Sequence, residues 1–200
     1  MILFPGAQRI RNTYGNLNVK QLIFWGIVVL MAMACAAGCT DQEQGPVPEL
    51  RSPALPGQTI VAIGNVTGGG QTAGVLTTGT IDTITVRAGL VPGAKPVNME
   101  NISIVYADAV RTESEQPVDG FRGTPGEGSW GIIAGGNEII PANNRLDDQE
   151  DFVIQINPKV PIMPSELVTI VIKPLTGAPL MLRLLAPPVI LAGENTLTPV

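Results

Sequence analysis

Hydrophobic positions follow two different rules along this chain. Residues 22–38, LIFWGIVVLMAMACAAG, are uncharged throughout and leave no polar face. From about residue 58 onward the apolar residues come instead in short runs that alternate with polar ones. TIDTITVRAGL places Ile84, Val86, Ala88 and Leu90 on one side and Thr85 and Arg87 on the other. NISIVYA sets Ile102, Ile104 and Tyr106 against Ser103 and Val105, and FVIQI aligns Phe152, Ile154 and Ile156. LVTIVIKP does the same with Val168, Ile170 and Ile172, and PLMLRLLAPP with Leu180, Leu182 and Leu184 opposite Met181 and Arg183. Period two is the repeat of a strand with one buried face. With QTIVAIGNV and a short WGII segment at Trp130, the pattern predicts about seven strands and no amphipathic helix between them. That favours an antiparallel sandwich or barrel over an α/β fold.

Glycine and proline punctuate the runs. TGGGQTAG, residues 67–74, predicts a tight turn, because glycine adopts positive φ without steric cost. VPGAKP predicts another. RTESEQPVDGFRGTPGEG, residues 111–128, is polar and glycine-rich and reads as a long exposed loop. Ahead of the first run, residues 40–57 contain Pro46, Pro48, Pro53 and Pro56. Proline removes a backbone donor and restricts its predecessor, so this stretch reads as a stiff, partly extended linker.

Charge divides the chain at the same place. Arg9, Arg11 and Lys20 are the only charged residues before Asp41; nine bases and seventeen acids follow, a net charge of −8. The division gives a basic leader, 1–21, a hydrophobic segment, 22–39, the linker, 40–57, and an acidic β domain, 58–200. Seventeen residues of helix rise about 25 Å, near the lower limit for a bilayer core. Residues 22–38 therefore suit a signal segment or a short membrane helix with its basic end cytoplasmic. A helix that is apolar all round must otherwise be covered by copies of itself. Ala36-Ala37-Gly38-Cys39 resembles a lipoprotein processing site, which makes Cys39 a candidate for lipidation.

The chemistry available to the acidic domain is narrow. Histidine is absent, and Cys35 and Cys39 both lie in the apolar segment. Cys/His zinc sites and imidazole-based triads are excluded. The domain lacks the clustered Lys and Arg that neutralise phosphates, which argues against nucleic acid as a partner. The triple glycine at 68–70 is followed by no Lys-Ser/Thr and is no phosphate loop. Asp108, Glu113 and Glu115 could form a hydrolytic pair only if something positioned them. Asp147, Asp148, Glu150 and Asp151 offer oxygen ligands for calcium but lack the spacing of an EF-hand. The expectation is a protein with no catalytic residues, no metal and no cofactor. Asn65-Val66-Thr67 and Asn101-Ile102-Ser103 match the acceptor pattern for N-glycosylation.

Taken in order, TIDTITVRAGLVPGAKPVNMENISIVYADA, SWGII, DDQEDFVIQI and MPSELVTIVIKPLTGAPLMLRLLAPP resemble the outer domain of the archaeal flagellins, or archaellins. The matching residues are Pro92 to Pro96, Ile104 to Asp108, Asp148 to Ile156 and Ile172 to Pro187, and IKPLTGAPL carries the most specific match. The resemblance spans roughly residues 58–190. It implies an immunoglobulin-like antiparallel β-sandwich of about seven strands, preceded by one N-terminal hydrophobic helix and displayed outside a helical filament. The function it implies is that of a non-catalytic structural subunit of the archaeal flagellum, extracellular and serving motility. Self-association would run through the N-terminal helix, with an envelope or S-layer component as a further partner. Family leaders end in Lys-Gly or Arg-Gly, whereas Gly15 follows Tyr14 and Gly26 follows Trp25 here. The alternative expectation is a surface lipoprotein or membrane-anchored domain of the same kind that binds an envelope partner.

Overall fold

The computed structural model describes Arg51 and residues 53–71, 79–138, 140 and 143–200. All of them lie in one compact unit, Pro48–Val200. The basic leader, the hydrophobic segment with Cys39, and residues 40–50 of the linker lie outside the described residues. So does the helix expected over 22–39. Among the described residues no helix is long and apolar enough to cross a membrane.

Twelve strands form among the described residues: β1 Ile60–Ala62, β2 Val66–Gln71, β3 Thr80–Leu90, β4 Val97–Asn98, β5 Ser103–Ala107, β6 Thr112–Arg122, β7 Ser129–Gly136, β8 Arg145–Leu146, β9 Asp151–Asn157, β10 Leu167–Lys173, β11 Leu180–Leu185 and β12 Gly193–Pro199. The described residues are all-β, as the alternating runs predict, with one turn of 3-10 helix at Met99–Asn101. β4 and β8 pair separately; the other ten strands share one sheet.

That sheet follows the order β1-β3-β2-β12-β11-β10-β5-β6-β7-β9, and β9 pairs back onto β3. Backbone pairing therefore runs in a circuit. Two strands carry it from one group of strands to the other. β12 lies against β2 from Gly193↔Gly70 to Leu197↔Val66, then meets β11 at Leu184↔Pro199. β6 begins against β5, with Ile104 opposite Glu115, and continues beside β7, with Gln116 opposite Ser129. Closing a sheet in this way removes most, but not all, of the edges that would otherwise template pairing with other chains: β12 covers β11 only at Leu184 and Leu185. The β6–β7 pairing is parallel, so the expectation of purely antiparallel pairing among about seven strands is corrected to a mixed sheet.

The inward faces match the alternation. Ile84, Val86, Ala88 and Leu90 are buried, as are Phe152, Ile154 and Ile156, and Val168, Ile170 and Ile172. Trp130, Tyr106 and Phe152 are the bulkiest fully buried side chains. Each buried aliphatic side chain contributes about 1.5–3 kcal/mol. A bulge keeps the phase of β3: Gly69 pairs with Thr83 and Gly70 with Ile81, so Asp82 has no opposite number. The extra residue lets Ile81 and Ile84 both face the core despite their odd spacing.

Two segments read as turn or loop are strands. The glycines at 68–70 belong to β2, not to a turn, and they are there for proximity. A Cβ on Gly70 would lie 2.1 Å from the Leu191 carbonyl oxygen, and one on Gly68 2.7 Å from Ile81 Cγ2. Residues 112–122, expected to be exposed loop, form β6. Its pairing with β7 is interrupted between Pro117 and Arg122, where Gly120 and Phe121 both take positive φ, 69° and 65°. This turns the intervening residues outward while the Phe121 ring returns to pack 6.1 Å from that of Trp130.

Candidate functional site

The acids that could have formed a hydrolytic pair sit on the β5–β6 hairpin. At its turn, Asp108 Oδ1 accepts hydrogen bonds from the backbone N–H groups of Val110 and Arg111, at 2.9 and 3.0 Å. The Tyr106 hydroxyl donates to Oδ2 at 3.3 Å. Arg111 Nε lies 2.5 Å from Asp108 Oδ2 and 3.3 Å from Glu113 Oε1, and its guanidinium stands 5.6 Å from the centre of the Tyr106 ring. Burial alone would raise the pKa of Asp108. The two N–H donors, the Arg111 charge and the tyrosine hydroxyl outweigh it and hold the carboxyl below its ordinary range. Burial likewise raises the Tyr106 hydroxyl well above its usual value. Sequence reasoning found nothing to position these acids; Arg111 and the turn's backbone do so. The arrangement neutralises Asp108 and Glu113 within a packed hairpin.

Glu115 is different. In the β5–β6 ladder it stands opposite Ile104, and Glu113 opposite Tyr106, so both glutamates share the inward face of two core residues. Glu115 is 3% exposed. Neither of its carboxylate oxygens has a hydrogen-bond partner among the described residues. Burial, and then the neighbouring charge of Glu113, push its pKa up to about 7 against a weaker pull from Lys159. A half-neutral carboxyl is how a carboxylic acid tolerates such a position.

The acid cluster before β9 disperses. Asp151 is buried and ion-paired with Arg87, 2.6 Å from Nε, while Asp147 pairs with Arg145 at 3.0 Å. Glu150 turns back to accept the Asp147 N–H at 3.0 Å, and Asp148 stays exposed. Among the described residues, no three acids converge as a metal-holding set.

Both glycosylation candidates are accessible. Asn65 is exposed in the turn between β1 and β2, and Asn101 is exposed at the end of the 3-10 turn before β5. A hub anchors the second: Arg122 contacts Glu138 at 2.5 Å, the Asn143 carbonyl, and Asn144 Oδ1 at 3.2 Å. Asn144 in turn donates to Glu100 at 3.1 Å. Cys39 lies outside the described residues.

A groove of about 470 Å³ lies between β11 and the β1–β2 turn. It was not anticipated from sequence. Its walls are mostly apolar, including Leu55, Met181 and Val200, with Arg51 and Arg183 at its rim. Only the outward alternation of Met181 and Arg183 in PLMLRLLAPP pointed toward it.

No family model matches the chain, and no characterised protein matches its sequence at a significant level. Solved structures do match. The crystal structure of archaeal flagellin FlaB1 from Methanocaldococcus jannaschii superposes with a TM-score of 0.52 at 15% identity, covering 66% of this chain and 93% of that one. The archaeal flagellum of Methanospirillum hungatei strain JF1 gives 0.49 at 10% identity, over 90% of this chain and 94% of that one. The archaellum periplasmic stator protein FlaG from Sulfolobus acidocaldarius gives 0.39 at 16% identity, over 54% and 90%. The likeness to FlaB1 shows that the β domain has an archaellin-like fold.

Proposed function

We propose that this chain is a structural, non-catalytic subunit of the archaeal flagellar filament and contributes to cell motility. The observation that carries the reading is the shared fold with FlaB1 over nearly all of that flagellin's described chain, joined to a seventeen-residue apolar segment upstream. In this reading residues 58–200 form an immunoglobulin-like sandwich on the filament exterior. Residues 22–39 form the helix through which copies associate, residues 40–57 the tether between them, and residues 1–21 the leader. Before assembly the helix contacts the membrane through residues 22–38. An acidic, poorly aromatic domain suits a polymer exposed to medium, and a contact repeated head to tail without closing yields a filament. Asn65 and Asn101 are the proposed sites of glycan attachment, both on accessible turns.

The rival reading is a surface protein anchored by lipid at Cys39, motivated by Ala36-Ala37-Gly38-Cys39, with the same domain binding an envelope partner. Shearing separates them. Filaments sheared from cells and purified should contain peptides of the β domain at the stoichiometry of a polymer subunit. Recovery of those peptides only with the membrane fraction would refute the filament assignment.

A further inference from the structure

Beside the groove, part of β11 has no strand partner on one side among the described residues. β11 pairs with β10 along Leu180–Leu185 on one side, but on its other side β12 reaches only Leu184 and Leu185, followed by the Val200 N–H donating to the Arg183 carbonyl at 3.0 Å. Backbone groups alternate in direction along a strand. Since the Arg183 carbonyl faces the groove, the N–H and C=O of Met181, two residues earlier, face it too. The opposite wall is the β1–β2 turn at Gly64 and Asn65. Met181 is 57% exposed, and Leu55 and Val200 are exposed beside it. Arg183 has no ion pair among the described residues, and Arg51 makes a hydrogen bond to the Leu90 carbonyl at 3.3 Å. The groove therefore offers backbone pairing on one wall, apolar walls and two cations.

We propose that this groove receives residues 41–50 of a second copy of the chain, added as an extended strand beside β11. The sequence DQEQGPVPEL carries three acids and no base, which complements Arg51 and Arg183 in a domain that is otherwise acidic. Val47 and Leu50 supply apolar side chains for the walls. Pro46 and Pro48 favour extended backbone, and proline is tolerated where a strand pairs on one side only. Strand addition of this kind draws affinity from main-chain hydrogen bonds and specificity from alternate side chains. The donor is a second copy because Arg51 itself lines the groove. The ten residues before it, extended, span about 30 Å at about 3.1 Å per residue. To pair with β11 of its own chain, a segment stiffened by Pro46 and Pro48 would have to reverse direction within the few residues before Arg51. The inference holds whether or not the copies assemble as a flagellar filament.

The test uses the full chain in detergent, with Cys35→Ser and Cys39→Ser removing both native thiols. One population carries Glu49→Cys and the other Met181→Cys. On mixing under mild oxidation, a disulfide heterodimer should form at least about tenfold faster than with Asp148→Cys, an exposed position away from the groove. Arg183→Glu in the acceptor should slow the linkage about fivefold at low salt, and the slowing should shrink at high salt, where the charge is screened. Linkage no faster than the Asp148→Cys control overturns the proposal. So does a chain carrying both Glu49→Cys and Met181→Cys that links only within itself at every dilution, which would assign the groove to its own tether.

Discussion

Glu115 stands directly opposite Ile104 in the β5–β6 ladder, a carboxyl facing the same interior as a fully buried isoleucine. The relationship matters because β6 is one of the two strands that carry backbone pairing across the domain. An inward acid on such a strand carries the cost of burying a carboxyl without a hydrogen-bond partner among the described residues, a cost lowered by holding its proton.

The pH dependence of stability follows from that position. The folded pKa of Glu115, about 7, is raised above its ordinary value of 4.5. The folded state therefore holds its proton more tightly than the unfolded chain, and this stability is full below about pH 4.5 and lost as pH climbs through 7. The loss amounts to about 1–3 kcal/mol. Glu115→Gln should flatten that decline in thermal denaturation between pH 4.5 and 7.5. An unchanged slope would place the titration elsewhere.

Arg111 should matter more than an ordinary surface cation. Arg111→Met leaves Asp108, whose side chain is fully covered, without its neutralising charge, at an expected cost of about 1–3 kcal/mol. Arg111→Met with Asp108→Asn should recover much of the loss. Denaturant unfolding of the two single variants and the double variant measures the coupling, and simple additivity would contradict the ion cluster.

Gly70 tests close packing against flexibility. Gly70→Ala sets a Cβ against the backbone oxygen of Leu191, so β2 or the residue 191 segment must move, at about 2–4 kcal/mol. Gly57→Ala meets nothing within 4 Å but sits at φ 78°, and should cost about 1 kcal/mol. Equal melting temperatures for the two variants would refute this account of the glycine run.

What the sequence revealed, and what it hid, has a physical pattern. Strands such as β9, β10 and β11 bury Ile, Leu, Val or Phe at every second position, so period two exposes them. β6 escaped because its inward positions include Glu113 and Glu115, and β2 because proximity to Leu191 and Ile81 demanded glycines that imitate a turn. β12 buries only Asn195 and Leu197 among its seven residues, too few to make a pattern. Of the candidate site residues, Asn65, beside a glycine-rich stretch, and Asn101, just ahead of a strand, are both exposed. The groove was not legible in the sequence, because it depends on where β12 leaves β11, a matter of tertiary register.

The archaellin-like fold leaves the N-terminal segment as the deciding element, and one measurement addresses it most directly: the intact mass and first residue of the mature protein taken from sheared filaments. The filament account predicts a chain that begins just ahead of residue 22, retains the apolar segment and carries no lipid. A mature chain that begins at Cys39 with added lipid mass, and is missing from the filaments, would contradict it.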